Sequence, residues 1–423
     1  MDKINIYFIN KSKKKESIDI KSDKLIKIKI YVMNLSNYEL TNQINNIRNV
    51  FNMYTNIKKI DIAFEKDIDT KDKNKILTKV HDLLYSYKKD SKVKLYNVPS
   101  NSRCLFECLD KYKDIVMDPN KTPDIYIKWI QKQIPDDYKY NIKKTSETFF
   151  PLTHAVGLGS NYDSYFVHIY PKKINKNKKN IYLIGKSVIY DSGGMNIKGN
   201  SMHEMKVDMI GSAIIVSTLK LLSNNMEQSS EQSSNIHILI PVVENMISSK
   251  STRPGTIVES MSGKTVEIIN TDAEGRLCMA DCIDYINLKL LNKNQDNMIL
   301  DIATLTGNTI YISNGVSTIS MCNKNGQKYM NTMKEIGENI GEYIDELKIR
   351  DEYNCCLNSN VADITNCDYS NKAGCITAGV FLNYFINNNA PWIHLDVASS
   401  THKNNMVYSH GINLLYEFIS SFD

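Results

Sequence analysis

Ile181-Tyr-Leu-Ile-Gly185 is a short apolar run closed by a glycine, and three further stretches share its form: Ile236-His-Ile-Leu-Ile-Pro241, Met298-Ile-Leu-Asp-Ile302 and Trp392-Ile-His-Leu-Asp-Val397. Runs this short, largely apolar and bounded by breakers, read as strands buried on both faces. Residues 205–222, 279–291, 331–348 and 373–386 read as helices between them. Such alternation predicts an α/β fold with a central mixed, mainly parallel sheet flanked by helices, whose ligand site lies at the carboxyl ends of the strands. Residues 125–423 are therefore expected to form one large domain.

Working outward, residues 1–97 alternate strand-like runs (4–9, 26–32, 60–64, 93–96) with helix-like stretches (44–54, 75–87) and predict a smaller N-terminal α/β domain without a catalytic constellation. Val98-Pro-Ser-Asn-Ser102 interrupts that pattern, and Ser100 or Ser102 is placed to cap a helix over 103–117. Asp118-Pro-Asn-Lys-Thr-Pro-Asp124 ends that helix and starts another, so 98–124 reads as a linker helix region. The polar, low-complexity residues 224–235 are expected to be a surface loop.

A chain of 423 residues suits two domains, and 42% hydrophobic with 23% charged residues is a globular composition. The net charge of +5 is mild for this size and does not argue for nucleic acid. Lys11-Ser-Lys-Lys-Lys-Glu16 and Lys172-Lys-Ile-Asn-Lys-Asn-Lys-Lys179 read as solvated loops, with no aromatic residues interleaved in the second for base stacking. The N-terminus lacks the pattern of a signal peptide, and no apolar run approaches the roughly 18 residues of a membrane helix. Nine cysteines with no Cys-x-x-Cys pair fit reduced thiols, so a cytoplasmic protein is expected.

Chemistry concentrates immediately after the first buried run. Lys186 follows Gly185, Asp191 precedes the pair Gly193-Gly194, which permits a tight turn, and Lys198 and Asp208 come next. His203-Glu204 does not start a zinc-protease helix, because Val207 stands where the second histidine belongs. The eight histidines show no metal spacing. Asn270-Thr-Asp-Ala-Glu-Gly-Arg-Leu277 supplies two more carboxylates, and on an extended segment Asp272, Glu274 and Arg276 share one side. An isolated Asp-x-Glu is usually a solvated loop. Together with Asp191, Asp208 and lysines, however, it predicts a hard, oxygen-rich, anionic site that needs one divalent cation and suits two.

The chain resembles the leucyl (cytosol) aminopeptidases, two-metal exopeptidases. Asn270–Leu277 is that family's signature octapeptide, and Gly185-Lys186, Tyr190-Asp-Ser-Gly-Gly194, Met205-Lys-x-Asp-Met209, Glu244-Asn-Met246, Asp301-Ile-Ala-Thr-Leu-Thr-Gly307 and Trp392-x-His-Leu-Asp396 follow in the family's order. The resemblance is strong over about 150–420. It implies Lys186, Asp191, Asp208 and Glu274 as ligands of one metal ion and Asp191, Asp272 and Glu274 as ligands of the other, with zinc or manganese, or magnesium or cobalt, in the sites. It further implies that Lys198 polarises the scissile carbonyl, and that Arg276 holds a bicarbonate ion acting as general base towards the bridging water. Met205, Thr304, Leu305 and Gly307 would line the pocket for an apolar, Leu- or Met-like N-terminal residue.

Peptides with a free N-terminus would be the substrates, and family members look like homohexamers; no membrane or nucleic-acid partner is implied. The chain departs from the family at Ser187 and Ser399, which replace usual glycines, in a loop from Lys198 to Asp208 one residue shorter than usual, and in its short N-terminal domain. None of these removes a ligand or catalytic side chain. Another di-metal hydrolase, such as a phosphoesterase, and a non-catalytic structural or nucleic-acid-binding relative are the alternatives; the intact motif set favours the aminopeptidase.

Overall fold

The computed structural model describes residues 3–9, 17–22, 25–31, five positions between 39 and 47, and 59–87, 92–226, 234–291, 296–370, 372–387, 390–403 and 406–422. The lysine cluster at 11–16 and most of the helix expected over 44–54 lie outside these residues. The chain divides into two compact units, Met1–Lys113 and Asp114–Asp423.

The first unit carries β1 (Lys3–Ile9), β2 (Ser17–Ser22), β3 (Leu25–Tyr31), β4 (Lys59–Phe64) and β5 (Lys92–Tyr96) in the order β2-β3-β1-β4-β5. Only β2, which pairs antiparallel with β3, was not anticipated. Lys59-Ile-Asp-Ile-Ala-Phe64 alternates in the strand period, which buries Ile60, Ile62 and Phe64 in one core with Ile76, Leu77, Val80 and Leu84 of helix Thr70–Tyr87. That helix is joined to helix Ser100–Met117 by an ion pair of Asp82 with Lys113 (2.6 Å) and a hydrogen bond between His81 Nε2 and Asp110 Oδ1 (2.8 Å). Ser102 does not act as a cap. It lies inside the second helix, where its hydroxyl donates to Asn74 Oδ1 at 2.6 Å.

The second unit is built on β6 (Tyr138–Lys144), β7 (Tyr165–Pro171), β8 (Lys179–Gly185), β9 (Ser187–Asp191), β10 (Ser234–Asn245), β13 (Asn297–Ala303), β14 (Ser317–Cys322), β15 (Tyr343–Glu346) and β17 (Trp392–Asp396). Their sheet runs β15-β14-β17-β13-β8-β10-β7-β6, with β9 paired to β10. The four central strands, β17, β13, β8 and β10, are mutually parallel and are the four apolar runs read from the sequence. Antiparallel pairing begins only outside them, at β14 and β7.

Both faces of these strands are dry. Tyr182, Ile184, Leu239, Val243 and Ile299 face the core shared with helices Glu274–Tyr285 and Gly374–Phe385, while helix Ile210–Met226 packs on β8 and β13. A separate three-stranded sheet, β11 (Thr256–Glu259), β12 (Thr265–Ile268) and β16 (Ile364–Thr365), leads into the signature octapeptide. No helix among the described residues is long and apolar enough to cross a membrane.

Three local expectations are corrected. The helix expected over 331–348 is helix Gln327–Ile340 followed by β15, because Gly341 (φ 74°) takes the left-handed conformation that ends helices. In the stretch 224–235, the helix continues to Met226 and β10 starts at Ser234, with 227–233 outside the described residues. Lys179 is no solvated loop lysine: it begins β8, donates to Tyr329 Oη at 2.6 Å, and lies over the Tyr329 and Phe422 rings.

Candidate active site

The parallel strands deliver their carboxyl ends to one place. Lys186 follows β8, Asp191 closes β9, Asn245 closes β10, Thr304 follows β13 and Asp396 closes β17. Asp208 arrives differently from expectation: the helix read over 205–222 is a 3-10 turn, Met202–Val207, then helix Ile210–Met226, with Asp208 at the junction. The break frees its carboxylate to meet Lys186.

Lys186 Nζ lies 2.8 Å from Asp208 Oδ2 and 2.9 Å from Glu274 Oε1, and donates to the Thr304 carbonyl at 2.8 Å. Lys198 Nζ bridges Asp191 Oδ2 at 2.7 Å and Asp272 Oδ1 at 2.5 Å. Oxygens of Asp191, Asp272 and Glu274 all lie within 4.8 Å of one another. Four carboxylates thus share two ammonium groups in a space closed to solvent except near Lys198 and Asp272, and the Glu274 Oε2 atom is buried with no hydrogen-bond partner among the described residues.

The electrostatics follow from this imbalance. Burial and the repulsion of Glu274 and Asp208 push the Asp191 carboxyl well above its usual range, and burial with Glu274 raises Asp272. Burial also raises Asp208, against the pull of Lys186. Glu274 alone is lowered: burial opposes its ionisation, but Lys186 and Lys198 outweigh it. It also stands in the first turn of its helix, where the helix dipole favours an anion. Burial opposes the charge on both lysines, yet the surrounding carboxylates hold their pKa values above the ordinary lysine value.

The signature octapeptide is not extended. Asn270–Ala273 form a turn and Glu274 opens the buried helix Glu274–Tyr285, so Arg276, two residues on, points away from Glu274 around the helix. Its guanidinium is buried, donates to the Asn366 carbonyl at 3.0 Å and leaves Nε without a partner among the described residues. Gly275 is required by packing, since a Cβ there would lie 2.4 Å from Lys186 Cε. Gly193 (φ 86°) and Gly194 (φ 61°) make the expected tight turn beside Asp191.

Side chains that the sequence did not single out hold the octapeptide in place. Asn366 donates to the Asn270 carbonyl at 2.7 Å and accepts from the amides of Ile269 and Asn270 at 2.9 and 3.2 Å. Thr271 Oγ1 donates to the Gly193 carbonyl at 2.7 Å and accepts from Asn196 N at 2.9 Å, which locks the Asp191 turn onto the Asp272 turn. In a chain rich in asparagine Asn366 does not stand out, Thr271 enters only as part of the octapeptide, and such clamps have no periodicity to betray them.

The residues expected to line a pocket fall around this cluster. Met205 is half-buried, one 3-10 turn before Asp208, and Gly307 is exposed with open space where a side chain would project. Leu305 is half-buried and its amide donates to Asp396 Oδ1 at 3.1 Å. Thr304 is turned inward: its hydroxyl donates to Asp208 Oδ1 at 2.8 Å.

Residues 113–414 match the sequence profile of the cytosol aminopeptidase family, catalytic domain. The chain is 33% identical over 347 residues to a probable cytosol aminopeptidase of Rickettsia typhi and, over the same length, to a cytosol aminopeptidase of Rickettsia prowazekii. Each match covers 78% of this chain and 66% of the relative, so the chain spans slightly under two thirds of those proteins. The fold is similar to that of a leucine aminopeptidase from Caenorhabditis elegans (TM-score 0.79, 21% identity, 94% of this chain and 84% of that one). It is also similar to the bottromycin maturation enzyme BotP in complex with Mn (TM-score 0.80, 19% identity, 99% of both chains).

Proposed function

This chain belongs to the cytosol aminopeptidase family, and on that footing we propose that it is an aminopeptidase that releases residues one at a time from the free N-terminus of peptides. The observation that carries the proposal is the buried cluster of Asp191, Asp208, Asp272 and Glu274, only half neutralised by Lys186 and Lys198, with Glu274 Oε2 lacking a hydrogen-bond partner among the described residues. A buried, uncompensated carboxylate is costly unless a cation accompanies it, so the donor set fits divalent metal ions.

In this reading Asp191 and Glu274 would help to hold both cations, with Asp208 serving one of them and Asp272 the other. Lys186 joins the first only by giving up its proton, since an ammonium has no lone pair to offer. When bound, the cations supply an acidified water as nucleophile and a seat for the substrate's neutral amine. All-oxygen ligation with one amine admits zinc, manganese, magnesium or cobalt with modest discrimination.

The remaining chemistry falls to side chains. Lys198, protonated and still partly open to solvent, places positive charge where the carbonyl oxygen of the first peptide bond becomes negative. Arg276, with an unmet Nε, suits a small oxyanion such as bicarbonate, which when bound supplies a proton acceptor. Met205, Thr304, Leu305 and Gly307 border the space for an apolar N-terminal side chain. The catalytic domain is taken as 125–423, with 98–124 as a linker region and 1–97 carrying none of the chemistry; a cytoplasmic homohexamer completes the reading.

A seat for the amine fixes the cleavage point, because one residue of backbone separates that amine from the reacting carbonyl. With Mn2+ or Zn2+ added, leucine-para-nitroanilide and free-amine leucyl peptides should be hydrolysed, the peptides stepwise from the N-terminus. N-acetyl-leucyl peptides and para-nitrophenyl phosphate should resist. Internal fragments in the mass spectrum, or equal turnover of the acetylated peptide, would overturn the mechanism, and hydrolysis of the phosphate ester alone would overturn the activity.

A further inference from the structure

Glu244-Asn-Met246 belongs to the motif set of the sequence, yet the proposed chemistry gives it no task. In the structure Asn245 closes β10 with its side chain buried between the Asp191 end of β9 and the Thr271 turn. Its Nδ2 donates to Asp191 Oδ1 at 2.8 Å and to the Thr271 carbonyl at 2.9 Å. Both partners are acceptors, which fixes the amide orientation. Its own carbonyl accepts from Ser192 N at 2.9 Å and Ser192 Oγ at 2.8 Å, so the residue after Asp191 is held too.

Asp191 Oδ1 also accepts from Gly193 N at 2.9 Å. That oxygen is therefore committed, and Oδ2 alone faces the cluster, where it meets Lys198. We propose that Asn245 is a positioning residue of the site: by occupying Asp191 Oδ1 while tying down Thr271, it presents Asp191 through a single oxygen and sets the Asp191 strand and the Asp272 turn at a fixed separation. The inference rests on the di-cation reading above. Hydrogen bonds of this outer kind orient metal-binding carboxylates, and their loss weakens metal affinity by roughly 10- to 100-fold.

The test is calorimetric titration of metal-free protein with Mn2+, alongside thermal melting of the same metal-free samples. Asn245→Ala should bind Mn2+ roughly 10- to 100-fold more weakly than wild type. Asn245→Ser keeps one donor and should fall between them; it also carries the test should Asn245→Ala not fold. Glu244→Gln, whose neighbouring carboxyl accepts instead from Ser160 at 2.7 Å, should bind as wild type does. Wild-type affinity in a folded Asn245 variant, even with a lowered melting temperature, overturns the inference and leaves the residue a purely structural one. Failure of wild type itself to take up Mn2+ overturns the di-cation reading, and this inference with it.

Discussion

Lys198 is the residue on which binding and chemistry can be told apart. Its ammonium pairs with Asp191 and Asp272, but unlike Lys186 it retains an opening to solvent, the side from which a substrate carbonyl must come. Lys198→Ala should keep the metal content of wild type while lowering kcat about a hundredfold or more, the scale of losing an electrostatic stabiliser. Metal content falling in step with kcat would make Lys198 structural instead. The convergence of Asp191, Asp208, Asp272, Glu274 and the two lysines was legible because they gather in two stretches, 186–208 and 272–274, that each come just after a short apolar run. The orientation of Arg276 was not, since nothing in Asp-Ala-Glu-Gly declares that a helix starts at Glu274 rather than the strand continuing. The clamping roles of Asn245, Thr271 and Asn366 were missed for a related reason: a polar clamp is defined by what lies across from it, and those partners are distant in sequence.

Among the elements, β10 and its antiparallel neighbour β7 carry a polar pair that their sequences conceal. His168 of β7 and His237 of β10 face each other with Nε2 and Nδ1 3.1 Å apart, packed among Phe166, Tyr170, Tyr182 and Tyr285. Burial lowers the His237 pKa to about 4, and burial with the neighbouring ring lowers His168 to about 3. Both are therefore neutral in the folded chain at pH values where the unfolded chain is already protonated. Below the unfolded value near 6.5 the unfolded state binds more protons, so stability falls as pH drops from there towards 4. Between pH 7 and 4.5 the loss should be about 2–3 kcal/mol for each histidine, roughly 5 kcal/mol for the pair. Chemical denaturation at pH 7 and 4.5 would show a smaller loss for His237→Phe than for wild type; equal losses would remove the pair as the cause. The same scale shows where periodicity misleads. Over 331–348 the apolar spacing continues past Gly341, and only the glycine, read as a terminator, separates the helix from β15.

For the whole molecule, charge is distributed against its average. The chain carries +5 overall, yet the polar cluster at its strand ends holds four carboxylates against two lysines. Folding without a cation therefore leaves raised carboxyl pKa values and an unpaired oxygen at the centre of the Asp114–Asp423 unit, and a cation that binds only the folded state removes that penalty. Binding at a hundredfold excess over Kd adds about 2.7 kcal/mol, which for a unit of this size corresponds to ~3–5 °C in Tm. Mn2+ should thus raise the melting of Asp114–Asp423 in a concentration-dependent way, a chelator should reverse it, and a transition belonging to Met1–Lys113, which has its own core, should stay in place. In Glu274→Gln, which alters a ligand carboxylate whose buried Oε2 has no hydrogen-bond partner among the described residues, the shift should shrink or vanish. A full-sized shift in that variant would mean that Mn2+ stabilises the protein from somewhere other than this cluster.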